Sequence, residues 1–151
     1  MIISLNWIRQ FCPFETSESP IEIGAKFSLH AAEVEHAYAR STNFPSLVAA
    51  RVLGVKPHPN ADRLTLVEVD LGGGVKQEVV CGAPGVRPGM VVPYAAPGVV
   101  VEGREIREAK VRGVISHGML CSEKELDLAA ESEGLWELPA DAPPGLPLSK
   151  I

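Results

Sequence analysis

The stretch that decides the fold is Arg112–Ser122, R-G-V-I-S-H-G-M-L-C-S. Two earlier segments share its character: H-P-N-A-D-R-L at His58–Leu64 and V-C-G-A-P-G-V at Val80–Val86. Each is rich in Gly, Pro, Asn or Ser, the residues that separate strands by turns. Together, in this order, they indicate a small β-barrel whose loops carry polar side chains and exposed backbone. Such a surface suits nucleic acid, and none of the three segments is a recognisable catalytic motif.

Length and composition allow one domain with a proper core, or one domain plus a small appendage. The chain has 151 residues, of which 46% are hydrophobic and 22% charged, values that are ordinary for a globular protein. Thirteen prolines and fourteen glycines without a repeat period favour short strands joined by turns. No apolar run is long enough to span a bilayer, and the N-terminus lacks the pattern of a secretory signal.

The three cysteines, Cys12, Cys81 and Cys121, are too few and too widely spaced for a disulfide framework. The chain has no C-x-x-C pair, and the spacing of His58 and His117 to the cysteines matches no zinc-ligand pattern. We therefore expect no metal and no cofactor, and we interpret Cys81 and Cys121 as small buried side chains. Free thiols favour a reducing cytoplasm as the location.

The net charge of −5 is unevenly distributed along the chain. Residues 1–46 hold 3 basic and 5 acidic side chains, and residues 119–151 hold 2 basic and 7 acidic ones. Residues 47–118 hold 9 basic and 7 acidic side chains, so this segment alone is net positive, at +2. Local potential matters more than total charge for a phosphate-bearing partner. We therefore expect the middle segment to bind nucleic acid with weak to moderate, salt-sensitive affinity.

The first 40 residues predict a small α/β piece. Apolar residues at helical spacing after Ser4 predict a helix that Pro13 ends. Ser19-Pro20-Ile21-Glu22 predicts a second helix start, with Ser as the cap, Pro at the first helical position and Glu three residues after the cap.

The second helix should reach about Leu29 and bury Ile23 and Phe27. The alternating residues 34–39 then predict a strand, and the polar residues 41–46 predict a linker.

From Leu47 onward the pattern predicts short strands. Leu64–Leu71 alternates apolar and polar residues, Gly72–Gly74 reads as a hairpin turn, and Gln77–Cys81 is the return strand. Two prolines flank His58, and two prolines so close cannot lie in a central strand, so a fixed loop is predicted there. Further strands are predicted at 48–55, 91–95, 105–111 and 135–138.

The fold class is therefore predicted as mainly β, a five-stranded OB-fold (oligonucleotide-binding) barrel with the small α/β N-terminal piece. The predicted domains are the α/β piece at 1–40, the linker at 41–46 and the barrel at 47–148. A β-sandwich is the alternative that the strand pattern leaves open.

The sequence resembles one family over essentially its whole length. The start, M-I-I-S-L-N-W-I-R-Q-F, is similar to the opening of the bacterial phenylalanyl-tRNA synthetase β subunit. The segments at His58, Val80 and Lys110 occur in that family's order, and the part from Leu47 is similar to its tRNA-binding barrel. The resemblance implies an OB-fold, RNA contact at the Ser-x-Gly-Met turn, and a partner α subunit.

Two departures from the family's pattern stand out. Where the family usually has Asn, this chain has Gly85, which supplies backbone freedom but no side-chain hydrogen bond. A whole β subunit is also several times longer than this chain. Residues after the barrel complete the N-terminal piece in the family, so that piece looks half-built here.

Eight residues are predicted to contact RNA. The cations lie in the segment that has more basic than acidic residues, and we expect them to bind phosphates. The Ser, His and Asn side chains would bind phosphate or sugar. These residues are Asn60, Arg63, Arg87, Lys110, Arg112, Ser116, His117 and Ser122.

Structural explanations stay open beside these roles. Asn60 and Asp62 suit a loop that caps backbone N–H groups, Gly118 suits a bend, and scattered charges often form a solvated face. For Arg63 the two explanations are balanced. Tyr94 is the one aromatic residue of the barrel strands available for base stacking, and this scarcity favours recognition of a folded RNA by shape and backbone.

A catalytic role for Ser116 and His117 is disfavoured, because adjacent strand residues point apart and no G-x-S-x-G elbow is present. The preferred function is a non-catalytic tRNA-binding module that contacts folded tRNA through its backbone. The alternative is a structural module that packs against a synthetase α subunit or a second copy, with RNA binding incidental. If the chain is a fragment, the parent would be a phenylalanine–tRNA ligase, an ATP-dependent enzyme.

Overall fold

The structure, a computed structural model, describes residues 4–37 and 46–151. The chain divides into two compact units, Met1–Arg40 (unit 1) and Ser41–Ile151 (unit 2). The linker predicted at 41–46 lies outside the described residues except for its last position. The described part of unit 1 is helical, and unit 2 is mainly β.

Unit 1 contains α1 (Leu5–Phe11) and α2 (Pro20–His30). α1 begins directly after Ser4, as the sequence predicts. α2 begins with the predicted capping box: the Glu22 N–H donates to Ser19 Oγ at 3.3 Å, and the Ser19 N–H donates to Glu22 Oε2 at 2.7 Å. These bonds satisfy donors that a helix N-terminus otherwise leaves free, so both predicted helix starts are confirmed.

The rest of unit 1 differs from the prediction. Ile23 is half-buried, but 47% of Phe27 and 79% of Leu29 are exposed, because no described layer of the unit covers that side of α2. Residues 34–37 form no strand, so the strand prediction is wrong there, and residues 38–39 lie outside the described residues. The described part of unit 1 is therefore not α/β.

Unit 2 begins with four strands that carry most of its backbone pairing: β1 (Leu47–His58), β2 (Ala61–Asp70), β3 (Lys76–Cys81) and β4 (Val91–Ala95). Five short strands follow: β5 (Val100–Val101), β6 (Arg104–Glu105), β7 (Ala109–Val111), β8 (Val114–Ser116) and β9 (Met119–Leu120). A 3₁₀ turn at Leu148–Lys150 comes near the end. The segment predicted as a strand at 135–138 is irregular.

The main sheet has five antiparallel strands in the order β3-β2-β1-β4-β9. β1 and β2 form a long hairpin in which Val52 pairs with Val69 and Pro57 with Thr65. β5 pairs with β6 and β7 pairs with β8 as separate two-stranded hairpins. The mainly β class and the five-stranded count are confirmed.

β1 continues through the segment predicted as a fixed loop. Pro57 is part of the strand, and the pairing with β2 shifts register between Val52 and Gly54 and again between Pro57 and His58. The pairing of β1 with β4 covers Leu47–Arg51, so at Pro57 only β2 is paired with β1. A proline lacks an N–H, and it is tolerated where one side of the strand has no ladder.

The two outer strands of the sheet approach each other through the bend that precedes β9. The His117 N–H donates to the Glu78 carbonyl at 3.0 Å, and the Val80 N–H donates to Ser116 Oγ at 3.0 Å. No strand ladder joins β3 to β9 within residues 46–151, so a closed ring of paired strands is not formed by the described backbone pairing.

Apolar side chains are buried on both faces of the central strands. All five residues of β4 are buried, which is the pattern of a strand covered on both sides. One buried cluster includes Val67, Val79 and Val92, and the other includes Val91 together with Leu138. Because alternate strand residues point to opposite faces, Val91 and Val92 place the two clusters on opposite sides of β4.

The segment 143–148, here called the C-terminal segment, lies against the start of β1. The Ala49 N–H donates to the Leu146 carbonyl, and the Gly145 N–H donates to the Ala49 carbonyl, both at 2.8 Å. The same segment also contacts Leu71, the residue that follows β2. A Cβ on Gly145 would lie 2.4 Å from the Leu71 carbonyl oxygen, so only glycine fits at this position.

Candidate nucleic-acid interface

Two loops that are more than fifty residues apart in sequence meet at one place in unit 2. The end of β1 and the loop that follows it contribute His58 and Asn60, and the end of β7 and the turn that follows it contribute Val111 and Arg112. Asn60 Nδ2 donates to the Arg112 carbonyl at 2.9 Å, and His58 Nε2 lies 3.1 Å from the Val111 carbonyl oxygen. We call this contact the junction.

The hydrogen bonds of His58 fix its tautomer. The Asn60 N–H donates to His58 Nδ1 at 3.1 Å, and a backbone N–H can only donate, so Nδ1 carries no proton. The Val111 carbonyl can only accept, so Nε2 carries the proton and donates it. The ring is 5% exposed, and it joins the two loops as a neutral bridge.

Four exposed cations flank the junction along the sequence: Lys56, Arg63, Lys110 and Arg112. Among the described residues, none of the four is within ion-pair distance of a carboxylate. Arg112 is also in the left-handed backbone region, with a φ of 47°, followed by Gly113 at 100°. This tight turn therefore exposes a cation at the tip of the β7–β8 hairpin.

The other predicted cation, Arg87, is paired within the protein. Its Nη2 lies 2.7 Å from Oε1 and 3.0 Å from Oε2 of Glu137. Arg107, which the sequence places near the same basic segment, contacts Glu105 Oε2 at 2.6 Å. Both pairs are exposed, so each contributes little stability, but each neutralises the cation locally.

The Ser116–Gly118 bend directs its polar groups inward. Ser116 is 6% exposed; its Oγ accepts from the Val80 N–H and donates to the Gly118 carbonyl at 3.0 Å. The Tyr94 hydroxyl donates to the His117 carbonyl at 2.7 Å. Burial, and secondarily the negative charge of Glu108, raises the pKa of the Tyr94 hydroxyl. Because Tyr94 is 3% exposed, it offers no ring face for base stacking.

The remaining predicted contacts also have partners within unit 2. Ser122 Oγ donates to Glu125 Oε2 at 2.7 Å and accepts from the Glu125 N–H at 3.3 Å, a capping arrangement at the turn that follows. His117 Nδ1 lies 2.8 Å from Glu108 Oε1. The structure thus leaves Arg63, Lys110 and Arg112 as the predicted residues whose charged groups face solvent unpaired, and the RNA roles of all eight residues stay predictions.

Sequence reasoning did not include Lys56 among the RNA-contacting residues; it follows the strand predicted at 48–55, whereas in the structure it lies within β1. Sequence reasoning also placed the Asn60 side chain either toward RNA or on its own loop, whereas its partner is the Arg112 carbonyl. No local signal reveals that contact, since the two residues are 52 positions apart.

The buried thiols are chemically protected. Cys81 and Cys121 are buried, and burial raises the pKa of Cys81 and raises that of Cys121 to about 12. Their burial confirms the sequence prediction, and it keeps both sulfurs in the unreactive thiol form near neutral pH.

Cys12, in contrast, is exposed. We expect an aromatic disulfide reagent at pH 8 to modify one cysteine per native chain rapidly and all three in denaturant. A Cys12→Ser variant should show no fast phase. Rapid modification of two or three thiols in the native chain would contradict the burial of Cys81 and Cys121.

A small antiparallel β unit with unpaired cations where two loops meet defines the class as a β-type nucleic-acid-binding module. The family described as "Putative tRNA binding domain" matches residues 47–147, and the chain belongs to that family.

Relatives extend the similarity to unit 1. The chain is 41% identical over 150 residues to the phenylalanine–tRNA ligase β subunit of Xanthomonas oryzae pv. oryzae, covering 99% of this chain and 19% of that protein. It is 42% identical over 147 residues to the same subunit of Methylococcus capsulatus, covering 96% and 18%. The resemblance read from the motifs is confirmed, and the chain spans about a fifth of the length of these relatives.

A solved structure shares the fold. The MetRS related protein from Pyrococcus horikoshii superposes with a TM-score of 0.50 at 20% identity, covering 68% of this chain and 87% of that chain. At this identity the likeness concerns the fold alone. Across residues 4–37 and 46–151, no helix has the length and apolarity that crossing a membrane requires.

Proposed function

We propose that unit 2 binds folded tRNA through the sugar–phosphate backbone, with the junction as the centre of the contact surface. The observation that carries this proposal is the set of four exposed cations beside the junction, Lys56, Arg63, Lys110 and Arg112, which lack carboxylate partners among the described residues. The family match to tRNA binding domains supports the same ligand.

The acidic total charge does not oppose this proposal. Screening limits interactions between exposed charges to about 8 Å at physiological ionic strength, so the acidic residues of 119–151 act locally. In residues 56–63 and 108–113 the exposed acidic residues are Asp62 and Glu108, against the four exposed cations. Cations therefore outnumber acids in these two segments, although the chain carries −5 overall.

Base stacking contributes little to this mode of binding. Residues 46–151 contain two aromatic rings of the Tyr, Trp or Phe type, Tyr94 and Trp136. Tyr94 is buried and Trp136 is half-buried. Recognition then depends on the shape and backbone of a folded RNA rather than on splayed single-stranded bases.

Filter binding of labelled tRNA across a potassium chloride series tests the proposal. We expect affinity to fall linearly on a log–log plot with a slope of about −2 to −4, since each neutralised phosphate contributes about 0.7 to 0.9. An unstructured oligonucleotide of the same length should bind more weakly. No retention of tRNA at 50 mM salt, or a slope near zero, would overturn the proposal.

We further propose that unit 2 is an OB-type barrel in which the Ser116–Gly118 bend completes the wall between β3 and β9. The hydrogen bonds from the His117 N–H to Glu78 and from the Val80 N–H to Ser116 support this arrangement. They replace a regular ladder by one backbone bond and one side-chain bond.

For unit 1 we propose a protein-binding role, with a phenylalanine–tRNA ligase α subunit as the partner. Its helices expose large apolar side chains, 73% of Phe11, 64% of Ile21 and 79% of Leu29, which a protein partner would cover. The relatives are β subunits of that enzyme. Co-purification with the α subunit, compared with a Phe11→Ser/Leu29→Ser variant, tests this; a dimer of the chain alone in light scattering would indicate a second copy instead.

The chain alone is proposed to be non-catalytic and to act in the cytoplasm, and the ligase activity to belong to the parent enzyme. The match to a tRNA binding domain and to a fifth of a ligase subunit supports this division. An ATP–pyrophosphate exchange assay with the chain alone should give no signal above background. Exchange that depends on phenylalanine would overturn it.

A further inference from the structure

We propose that His58 and Asn60 are positioning residues for RNA binding, which clamp the β7–β8 hairpin so that Lys110 and Arg112 are held toward the phosphates. This inference rests on the proposed function of unit 2. It assigns the H-P-N segment a role through the hairpin rather than by direct contact with RNA.

The hairpin is short, and it depends on outside support. β7 and β8 have three residues each and belong to a two-stranded sheet of their own. An isolated two-stranded hairpin is at best marginally stable in water. Its turn also places Arg112 in the left-handed region, at a φ of 47°, where a residue with a side chain is strained.

The Val80 N–H holds the Ser116 end of the hairpin, and the clamp supports the turn end with two further hydrogen bonds from outside the hairpin. Asn60 Nδ2 donates to the Arg112 carbonyl at 2.9 Å, and His58 Nε2 donates to the Val111 carbonyl at 3.1 Å. His58 is buried, and its Nδ1 accepts a hydrogen bond from the Asn60 N–H. These contacts fix the orientation of the ring, so its Nε2–H stays directed at the Val111 carbonyl. Both bonds end on the carbonyls that flank the strained turn.

The packing at the turn is equally close. A Cβ placed on Gly113 would lie 3.2 Å from Asn60 Nδ2, so the amide lies directly against the turn. The side chains of Asn60 and His58 thus bond to the hairpin backbone. Lys110 and Arg112 supply the charged groups that would contact phosphate. A cation that is already held in place loses less conformational entropy when it binds a phosphate than a mobile one does.

The test is a double-mutant cycle on tRNA affinity with Asn60→Ala and Arg112→Gln in the full chain. Asn60→Ala should weaken binding about 5-fold and reduce the salt slope by about 1, although no charge is removed. Arg112→Gln should weaken binding about 10-fold when it is made in the unsubstituted chain. Made in the Asn60→Ala variant, it should weaken binding only about 2-fold, because Arg112 is no longer held in place there and contributes little to binding.

The matched control is Gln77→Ala, which removes an amide side chain that makes no hydrogen bond among the described residues. It should leave affinity and salt slope unchanged. In amide hydrogen exchange without RNA, Asn60→Ala should speed exchange within Ala109–Ser116 about 10-fold or more while β1, β2 and β3 keep their protection. His58→Phe should give the same pattern, provided its thermal unfolding stays cooperative.

The outcomes separate the two proposals. Additive losses from Asn60→Ala and Arg112→Gln, or unchanged exchange in the hairpin, would overturn the clamp while tRNA binding stands. Failure of the unsubstituted chain to bind tRNA would overturn the proposed function, and with it the RNA role of the clamp. Coupled losses with local loosening of the hairpin support it.

Discussion

Gly118→Ala should lower the free energy of unfolding of unit 2 by about 3 to 4 kcal/mol. Gly118 has a φ of 102°, a region that L side chains rarely adopt. An added Cβ would lie 2.5 Å from the Ala95 carbonyl oxygen and 2.7 Å from the Tyr94 ring. Because one of these neighbours is backbone and Tyr94 is buried, neither can move cheaply.

Urea unfolding measures this effect, and the chain offers a matched control. Gly98 has a similar φ of 94°, but a Cβ there would meet nothing within 4 Å. Gly98→Ala should therefore show the backbone cost alone, about 1 to 2 kcal/mol. Equal losses from the two substitutions would show that the close packing around Gly118 has no energetic weight.

Replacing Arg63, Lys110 and Arg112 together by glutamine should weaken tRNA binding about 100-fold at 100 mM salt. Each unpaired cation is expected to contribute about 1 kcal/mol through a phosphate contact, and its loss should reduce the salt slope by about 1. The measurement is filter binding at several salt concentrations, with unfolding curves to verify that the variant is folded.

The control for this variant removes three cations that the structure shows in ion pairs: Lys76 with Glu68, Arg87 with Glu137 and Arg107 with Glu105. The triple glutamine variant at these positions should lose less than about 5-fold in affinity, because these cations are already neutralised by neighbours. Equal weakening by both triple variants would mean that net charge, rather than the junction, governs binding.

Local patterns of the sequence predicted several elements of regular structure but not all of them: residues 34–37 and 135–138 form no strand, and β1 continues through the predicted loop at Pro57. The alternation that predicted a strand at Leu64–Leu71 corresponds to β2 at Ala61–Asp70, and the Ser19–Glu22 pattern gave the start of α2. These features depend on residues within a few positions of each other. The predicted barrel is not confirmed, because the described strand pairing leaves β3 and β9 at the two edges of the sheet. The contacts between β3 and the 116–118 bend join residues far apart in sequence, which no local pattern encodes.

The site was harder to predict than the elements, for the same reason. Ser116 appeared as a polar residue in a turn, but its hydroxyl bonds to the Val80 N–H, 36 positions away. Arg87 appeared as one of several free cations, but Glu137 lies beside it, 50 positions away. Residue type and spacing identify groups that can bind phosphate, and only the tertiary structure shows which of them are already occupied.

The departure at Gly85 has a simple physical explanation. Its φ is 75°, in the left-handed region, and a Cβ there would meet nothing within 4 Å. Asparagine is the residue that tolerates this region best after glycine, so either residue preserves the turn. Glycine and the asparagine that the family resemblance implies at this position are therefore interchangeable for the backbone.

The attachment of residues 143–148 to the beginning of β1 has a consequence for synthesis. Ala49 leaves the ribosome almost a hundred residues before Leu146, yet its N–H and C=O form their bonds to that late segment. At 5 to 20 residues per second the nascent chain waits about 5 to 20 seconds with this stretch of strand unfinished. A chaperone that shields exposed strand edges should bind nascent chains that stop at residue 140 and should not bind the folded chain that contains residues 143–148.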